Sequence, residues 1–368
     1  MSVSAESPIR RTTVQGIREE LRQLWASEAM SSEAVIRART HNLVVYVAAE
    51  ASAEETTRQV IERTGERPGR VIIVDATREQ TGGLDAWVTT YCRSVARHQI
   101  CGEMITLAVS PDRQEELHST VVSLLAPDLP VYLWWGRLPD PTDHLFAHLA
   151  PESERILVDS DGFEDAATGY ARIAEIQQHF KVSDLAWARL SPWRQQMAHL
   201  WDVAELREAL AAIHALDIHH LAAKRKTNPG RSLLLLSWLA FRLGWAVTGA
   251  KLDGKSGLTV EWRQGGEPGK SRLVAADGEN LLPGDISQVF AKAGDTSQPV
   301  TARITLHPDL STAETSIHSG GRLSMRSSCR FSQPDDAMAL AEELDLGYDP
   351  SYGAAVQTAS HILQLAGS

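Results

Sequence analysis

The sequence predicts an α/β protein: an N-terminal doubly wound, mostly parallel sheet followed by a mixed α+β domain. Three observations predict it. Five short apolar runs lie at 43–48 (LVVYVA), 71–75 (VIIVD), 104–109 (MITLAV), 131–135 (VYLWW) and 156–159 (ILVD). They are nearly continuous rather than alternating, as strands buried on both faces are. Helical patterns at 53–64, 112–125, 142–149 and 164–180 follow several of them, and strand alternating with helix builds a parallel layer. Beyond residue 250 the pattern changes to alternating strands separated by glycine-rich turns.

Taken in order, residues 1–13 read as a polar tail. A helix follows, in which Ile17, Leu21, Leu24 and Trp25 recur at helical spacing, with Thr12 or Thr13 as its cap. Residues 87–94 read as a further strand, because Val88, Thr89, Thr90 and Tyr91 favour extended backbone. Residues 184–201 (DLAWARLSPWRQQMAHLW) then carry Trp187, Trp193 and Trp201 together with Arg189 and Arg194. Pro192 suits a first helical position with Ser191 as N-cap, so two short helical pieces meet at a corner. Tryptophan and arginine are enriched at interface hot spots, whereas large apolar rings also fill cores. The expectation is that Trp187 and Trp201 pack a junction, and that Trp193, Arg189 and Arg194 are exposed.

A helix at 203–213, a strand at 216–221 (LDIHHL), a basic loop at 224–231 (KRKTNPGR) and an apolar helix at 232–243 come next. Strands are expected at 258–263, 271–275, 300–306, 313–318 and 322–331, and closing helices at 335–344 and 352–365. The chain therefore divides into residues 1–180 and 181–368, with the junction at 181–201.

The 368 residues are enough for two cores, and 43% hydrophobic with 23% charged residues is an ordinary globular balance. A net charge of −11 excludes a general phosphate-backbone binder, so no nucleic-acid partner is expected. The longest apolar stretch, broken by Ser237, is too short to span a bilayer, and residues 1–13 lack a signal-peptide core. No membrane partner and a cytoplasmic location follow. Cys92, Cys101 and Cys329 form no CxxC pair. Cys92 and Cys101 lie nine residues apart and could meet across neighbouring strands. Two buried inert thiols are the expectation over a disulfide.

No GxGxxG, GxxxxGK[ST] or GxSxG is present, so the first domain is Rossmann-like without a nucleotide loop. No cofactor, no resident metal and no catalytic residue is expected. Asp75 and Asp159 end apolar strands, where ligands of open sheets bind. They suit an acid, a base or a magnesium ligand, but aspartate ending a strand is more commonly a turn or cap. His214, His219 and His220 form the one histidine cluster, but adjacent strand residues face opposite sides and do not easily share a metal. Trp134 and Trp135 point to opposite faces of their strand, with at least one in a core. Lys224, Arg225, Lys226 and Arg231 stand out from the acidic whole. Asn228-Pro229-Gly230 leads from them into a helix whose N-terminus attracts a phosphate or a partner's carboxylates. The partner-interface candidates are Trp134, Trp135, Trp187, Arg189, Trp193, Arg194, Lys224, Arg225 and Arg231.

LPVYLWW at 129–135, DLAWARLSPWRQ at 184–195 and LLLLSWLAFRLGW at 233–245, with CGEMITL at 101–107, together resemble the glucose-6-phosphate dehydrogenase assembly protein OpcA family. The resemblance runs over nearly the whole chain in the same order. It implies a non-enzymatic partner of glucose-6-phosphate dehydrogenase, which promotes that enzyme's oligomerisation and raises its activity in the oxidative pentose phosphate pathway. In cyanobacteria the family is linked to thioredoxin-dependent control. With three cysteines and no close pair, that property is not carried over. The rival from another class is a sugar-phosphate-binding enzyme or metabolite sensor, motivated by the sheet type, the basic loop, Asp75 and Asp159.

Overall fold

The computed structural model describes residues 3–6, 8–28, 34–47, 53–65, 67–75, 84–96, 98–109, 117–202, 207–221, 229–254, 257–276 and 284–367. The chain forms two compact units. The N-terminal unit comprises Met1–Asp159, Ile176–Leu185 and Asp335–Tyr348; the C-terminal unit comprises Ser160–Glu175, Ala186–Pro334 and Asp349–Ser368. Residue 180, the expected boundary, falls inside the Ile176–Leu185 segment of the N-terminal unit.

In chain order the first elements are β1 (Val3–Glu6), β2 (Arg10–Thr12), α1 (Ile17–Glu28), β3 (Ala34–Arg37), β4 (Asn42–Val47), α2 (Ala53–Thr64), β5 (Arg70–Asp75), β6 (Asp85–Val95) and β7 (His98–Ala108). Then come α3 (Leu117–Leu124), β8 (Val131–Trp135), α4 (His144–Leu149), β9 (Arg155–Val158), α5 (Ala166–Ile176) and β10 (Val182–Asp184). The N-terminal unit's sheet runs β1-β6-β7-β5-β4-β8-β9-β10, with β2 on β6 and β3 on β7. From β7 to β10 every neighbouring pair is parallel, whereas β6 pairs antiparallel with β7, β1 and β2. The five apolar runs of the sequence lie in this parallel part. Val71, Ile72, Ile73 and Val74 have no exposed surface, because layers cover both faces.

The polar tail expected at 1–13 instead supplies β1 and β2, two short edge strands with little apolar signal. Thr13 is a cap as expected: its hydroxyl accepts from the Gly16 N–H at 3.2 Å. The expected pair of separate thiols is corrected. Cys92 and Cys101 face each other in the β6–β7 ladder, with Cα atoms 4.0 Å apart, and are joined by a disulfide. Spacing alone could not show this, because the hairpin register decides it.

The remaining elements are α6 (Leu185–Arg189), α7 (Ser191–His199), α8 (Arg207–Ala211), β11 (Ile213–Leu221), α9 (Gly230–Leu243), β12 (Ala246–Asp253), β13 (Gly257–Gln264) and β14 (Glu267–Ala276). β15 (Ile286–Ala293), β16 (Val300–Leu306), β17 (Thr312–Ser319), β18 (Arg322–Arg330), α10 (Asp336–Asp345) and α11 (Pro350–Gly367) complete the chain. The C-terminal unit's sheet runs β12-β13-β14-β11-β15-β16-β17-β18, and only β11 with β14 is parallel. α9 packs on β11 and β14, α11 packs on β12, and the two helices pack on each other. Gly244 ends α9 at φ +66, the left-handed conformation that glycine adopts without Cβ strain. Trp245 and Trp262 stack at 3.8 Å in this unit, and Trp262 Nε1 donates to Ser271 Oγ at 2.9 Å. β12 and β15 are strands the sequence pattern did not mark.

Among the described residues no helix is long and apolar enough to cross a membrane.

Candidate partner interface

The Trp-Arg stretch folds as the expected corner of two short helices, α6 and α7, with Pro192 in the first turn. Its side chains are not displayed as expected. Ser191 is the first helical residue rather than a cap, and its hydroxyl accepts from Arg194 Nη2 at 3.1 Å. Trp193, expected outside, is 1% exposed and meets Phe331 edge-on at 5.1 Å. Arg189, also expected outside, is buried, and its Nη1 donates to Asp161 Oδ2 at 3.0 Å. Arg194 is half-buried, with its guanidinium 3.9 Å from the Trp187 ring centre. The reason is a carboxylate remote in sequence. Asp349, just before α11, accepts from Trp187 Nε1 at 3.0 Å, from Arg194 Nη1 at 3.3 Å and from the Ser351 N–H at 2.9 Å. Burial pushes its carboxyl pKa up, but the Ser351 and Trp187 N–H groups and Arg194 outweigh this and hold it low. The stretch is thus a clasp on the C-terminal unit's own helix. The side chain of Trp201 lies outside the described residues.

Arg231 is likewise corrected from loop cation to core. It is buried in the first turn of α9, 2.7 Å from Asp285 and 3.2 Å from Asp161. Lys224 and Arg225 lie outside the described residues. Trp134 and Trp135 are both buried. Trp135 stacks on Tyr46 at 3.9 Å, with Arg137 over both rings, and Trp134 lies beneath Arg63 at 5.8 Å. Gly136 is needed there, since a Cβ would meet the Tyr46 carbonyl at 2.7 Å. Asp75 is fully buried at the end of β5, and Asp159 is half-buried after β9. His220 is buried while His219 is half-exposed, as opposite faces require. Burial lowers the His219 pKa despite Asp217 nearby. Among the described residues no three His, Cys, Asp or Glu side chains cluster to hold a metal ion.

The open surface with binding chemistry lies elsewhere in the C-terminal unit. Along β16, Val300, Ala302, Ile304 and Leu306 are buried while Thr301, Arg303 and Thr305 are not; β17 buries Ala313, Thr315 and Ile317 and presents Glu314, Ser316 and His318. β15 adds Phe290 and Lys292 to this face, and β18 adds Arg326. A cavity of about 530 Å³ opens here, lined by Phe290, Arg303, His307, Glu314, His318 and Arg326 among others. Arg303 lies over the Phe290 ring at 4.9 Å, and Arg326 Nη2 donates to Glu314 Oε1 at 2.9 Å. Further along the sheet Arg272 grips Asp217 through two hydrogen bonds, at 2.8 and 2.6 Å. Across β11 and β13–β18, the cations Arg263, Lys270, Arg272, Lys292, Arg303 and Arg326 face the carboxylates Asp217, Glu261 and Glu314. This face is basic in a chain of net charge −11. The alternation in VTARITL and AETSIHS was its only sequence signal, and it marks a solvated sheet face without saying what covers it.

Two family descriptions, the N-terminal domain and the C-terminal domain of a glucose-6-phosphate dehydrogenase subunit, match residues 48–175 and residues 180–356 respectively. The chain belongs to the OpcA family. An OxPP cycle protein OpcA of Synechococcus elongatus is 32% identical to this OpcA-family chain over 193 residues, 51% of this chain and 42% of that protein. Its namesake in Synechocystis is 32% identical over 182 residues, 48% of this chain and 38% of that protein. The match therefore spans less than half the length of these relatives. Among solved structures, UDP-N-acetylglucosamine 3-dehydrogenase GnnA of Acidithiobacillus ferrooxidans aligns at TM-score 0.42 and 10% identity, over 90% of this chain and 97% of that one. Apo scyllo-inositol dehydrogenase of Lactobacillus casei aligns at TM-score 0.39 and 9% identity, over 89% and 96%.

Proposed function

We propose that this chain is a non-catalytic cytoplasmic partner of glucose-6-phosphate dehydrogenase that favours the enzyme's active oligomer and raises its activity. The observation that carries this reading is the ordered family match over both halves of the chain. Activation by a partner requires that it bind the active state more tightly than the alternative. A coupling of about 1–3 kcal/mol is enough for a 5- to 150-fold change in apparent affinity.

We assign docking to the basic open face of the C-terminal sheet, against an acidic surface of the dehydrogenase. We take the functional division of the chain to lie near residue 180, which gives the doubly wound N-terminal layer a role separate from docking. Trp134, Trp135, Trp187, Arg189, Trp193, Arg194 and Arg231 act on the interface indirectly, by holding their units in shape. Lys224 and Arg225 are assigned to partner binding as well.

The test is dehydrogenase kinetics against glucose 6-phosphate, with and without this protein, together with co-elution. Unchanged kinetic constants and separate elution sink the reading. Lys292→Glu with Arg303→Glu should weaken activation at least tenfold and flatten its salt dependence, with the fold intact. Full activation by that variant moves the docking site elsewhere.

A further inference from the structure

In the N-terminal unit three arginines converge on one carboxylate. Glu103 stands in β7 opposite Arg70 of β5, and its side chain is fully buried. Its Oε1 accepts from Arg70 Nε at 2.5 Å and lies 3.5 Å from Arg39 Nη2. Its Oε2 accepts from Trp25 Nε1 at 2.9 Å and from Arg37. The Arg37 guanidinium also lies over the Trp25 ring, at 4.5 Å. Burial pushes the Glu103 pKa up, but Arg70, the Trp25 N–H and Arg37 outweigh it and keep the group ionised. Among the described residues no second carboxylate pairs with Arg37, Arg39 or Arg70, which leaves two positive charges in excess. Arg39 is the most loosely held of the three. Burial is the main cause of its lowered pKa, opposed by Glu103 and reinforced by Arg37 and Arg70.

The same three guanidinia line a cavity of about 400 Å³. Arg18 and Arg22 of α1 join the lining, though Arg22 also pairs with Glu19 on its own helix. Much of the rest is apolar, from Ile17, Leu21, Ile105 and Leu124, with Trp25 beside them. One cation suffices to neutralise Glu103. A second and third add mutual repulsion, and an incoming anion relieves it. The volume is that of an ordinary small-molecule pocket, and the guanidinium fork matches phosphate oxygens. Glu103 takes Arg70 Nε and Nη2, and Arg70 Nη1 donates to the Leu124 carbonyl at 2.7 Å, so Arg70 is held within the fold at 14% exposure. Arg37 and Arg39 remain 36% and 39% exposed.

We propose that this cavity binds a small organic phosphate, with its dianionic group on Arg37 and Arg39, the charge of Arg70 adding to the field, and its organic body on the apolar wall. The proposal does not rest on the docking reading, and its test needs no dehydrogenase. The full chain is titrated calorimetrically at low salt with inorganic phosphate, glucose 6-phosphate and AMP. One-site binding of glucose 6-phosphate or AMP, tighter than inorganic phosphate and weakened by salt, supports it; the tighter of the two tells whether the body is a sugar or a nucleoside. Arg39→Ala should weaken that binding about tenfold or more, the loss of a charge-assisted hydrogen bond, with the unliganded melting temperature nearly unchanged. Arg39→Lys should recover part of it. No saturable binding of any probe overturns the site. So does affinity unchanged in Arg39→Ala, or inorganic phosphate bound as tightly as the other two.

Discussion

Each unit holds an arginine–carboxylate cluster, and the two are built in different proportions. In the C-terminal unit Arg189 and Arg231 meet Asp161 and Asp285, two cations for two anions, and Gln333 Nε2 adds a hydrogen bond to Asp285 at 2.9 Å. In the N-terminal unit Arg37, Arg39 and Arg70 meet Glu103 alone. The balanced cluster is shielded, and its guanidinia are engaged within the fold. The unbalanced one keeps a positive field at the wall of a cavity. An arginine-rich segment is therefore a poor sign of binding by itself. The ratio of cations to anions, read together with exposure, separates cohesion from recognition.

The sharpest way to break the comparison is Asp285→Asn. It leaves Arg231 buried beside a single remaining carboxylate and should cost about 3–5 kcal/mol in denaturant unfolding, without touching phosphate binding. A cost below about 1 kcal/mol means that the cluster is solvated and the contrast false. Next comes acid sensitivity. Burial, with Arg67 adding to it, pushes the His41 pKa from 6.5 down to about 4, so the folded chain binds fewer protons than the unfolded chain in that window. His41's contribution is present above pH 6.5 and lost as the pH falls towards 4, by about 3 kcal/mol in all. Melts across that range should show the slope, and His41→Gln should remove it.

Reducing the Cys92–Cys101 bond should lower stability by about 2–3 kcal/mol, the loop-closure term for so short a crosslink. Melts with and without reductant measure it, and no shift shows that the bond contributes nothing. Smallest is Glu103→Gln, at about 2 kcal/mol, because the exposed Arg37 and Arg39 can turn to water. Its affinity for a phosphate probe at low salt should not fall. If it falls as far as in Arg39→Ala, Glu103 matters by positioning the arginines more than by its charge.

The parallel strands β4, β5, β7, β8 and β9 were legible because burial on both faces demands the near-continuous runs around Val44, Ile73 and Leu133. β1, β2, β3 and β10 were not, since short strands at the margins of a sheet need no such run. The Trp-Arg stretch was legible as two helices but not as a clasp, because Asp349 lies 162 residues from Trp187. Nor could the sequence show that Arg231 finds Asp285 across 54 residues. One sign of the unbalanced cluster was present: Glu103 is the one carboxylate in a strand that is buried from Cys101 to Ala108. A charge in such a place implies cations from outside its own segment, though not which ones.

The chain passes from one unit to the other after residues 159, 175, 185, 334 and 348. During synthesis the N-terminal unit therefore waits for Asp335–Tyr348, which are made long after the rest of that unit. Arg67 reaches Asp345, and Arg155 Nη1 donates to the Leu346 carbonyl at 2.9 Å, so this late segment is tied to strands and loops made long before. A ribosome stalled near residue 330 should hold an early half that proteases still cut readily. Protection of that half should appear abruptly once the segment ending at Tyr348 clears the exit tunnel.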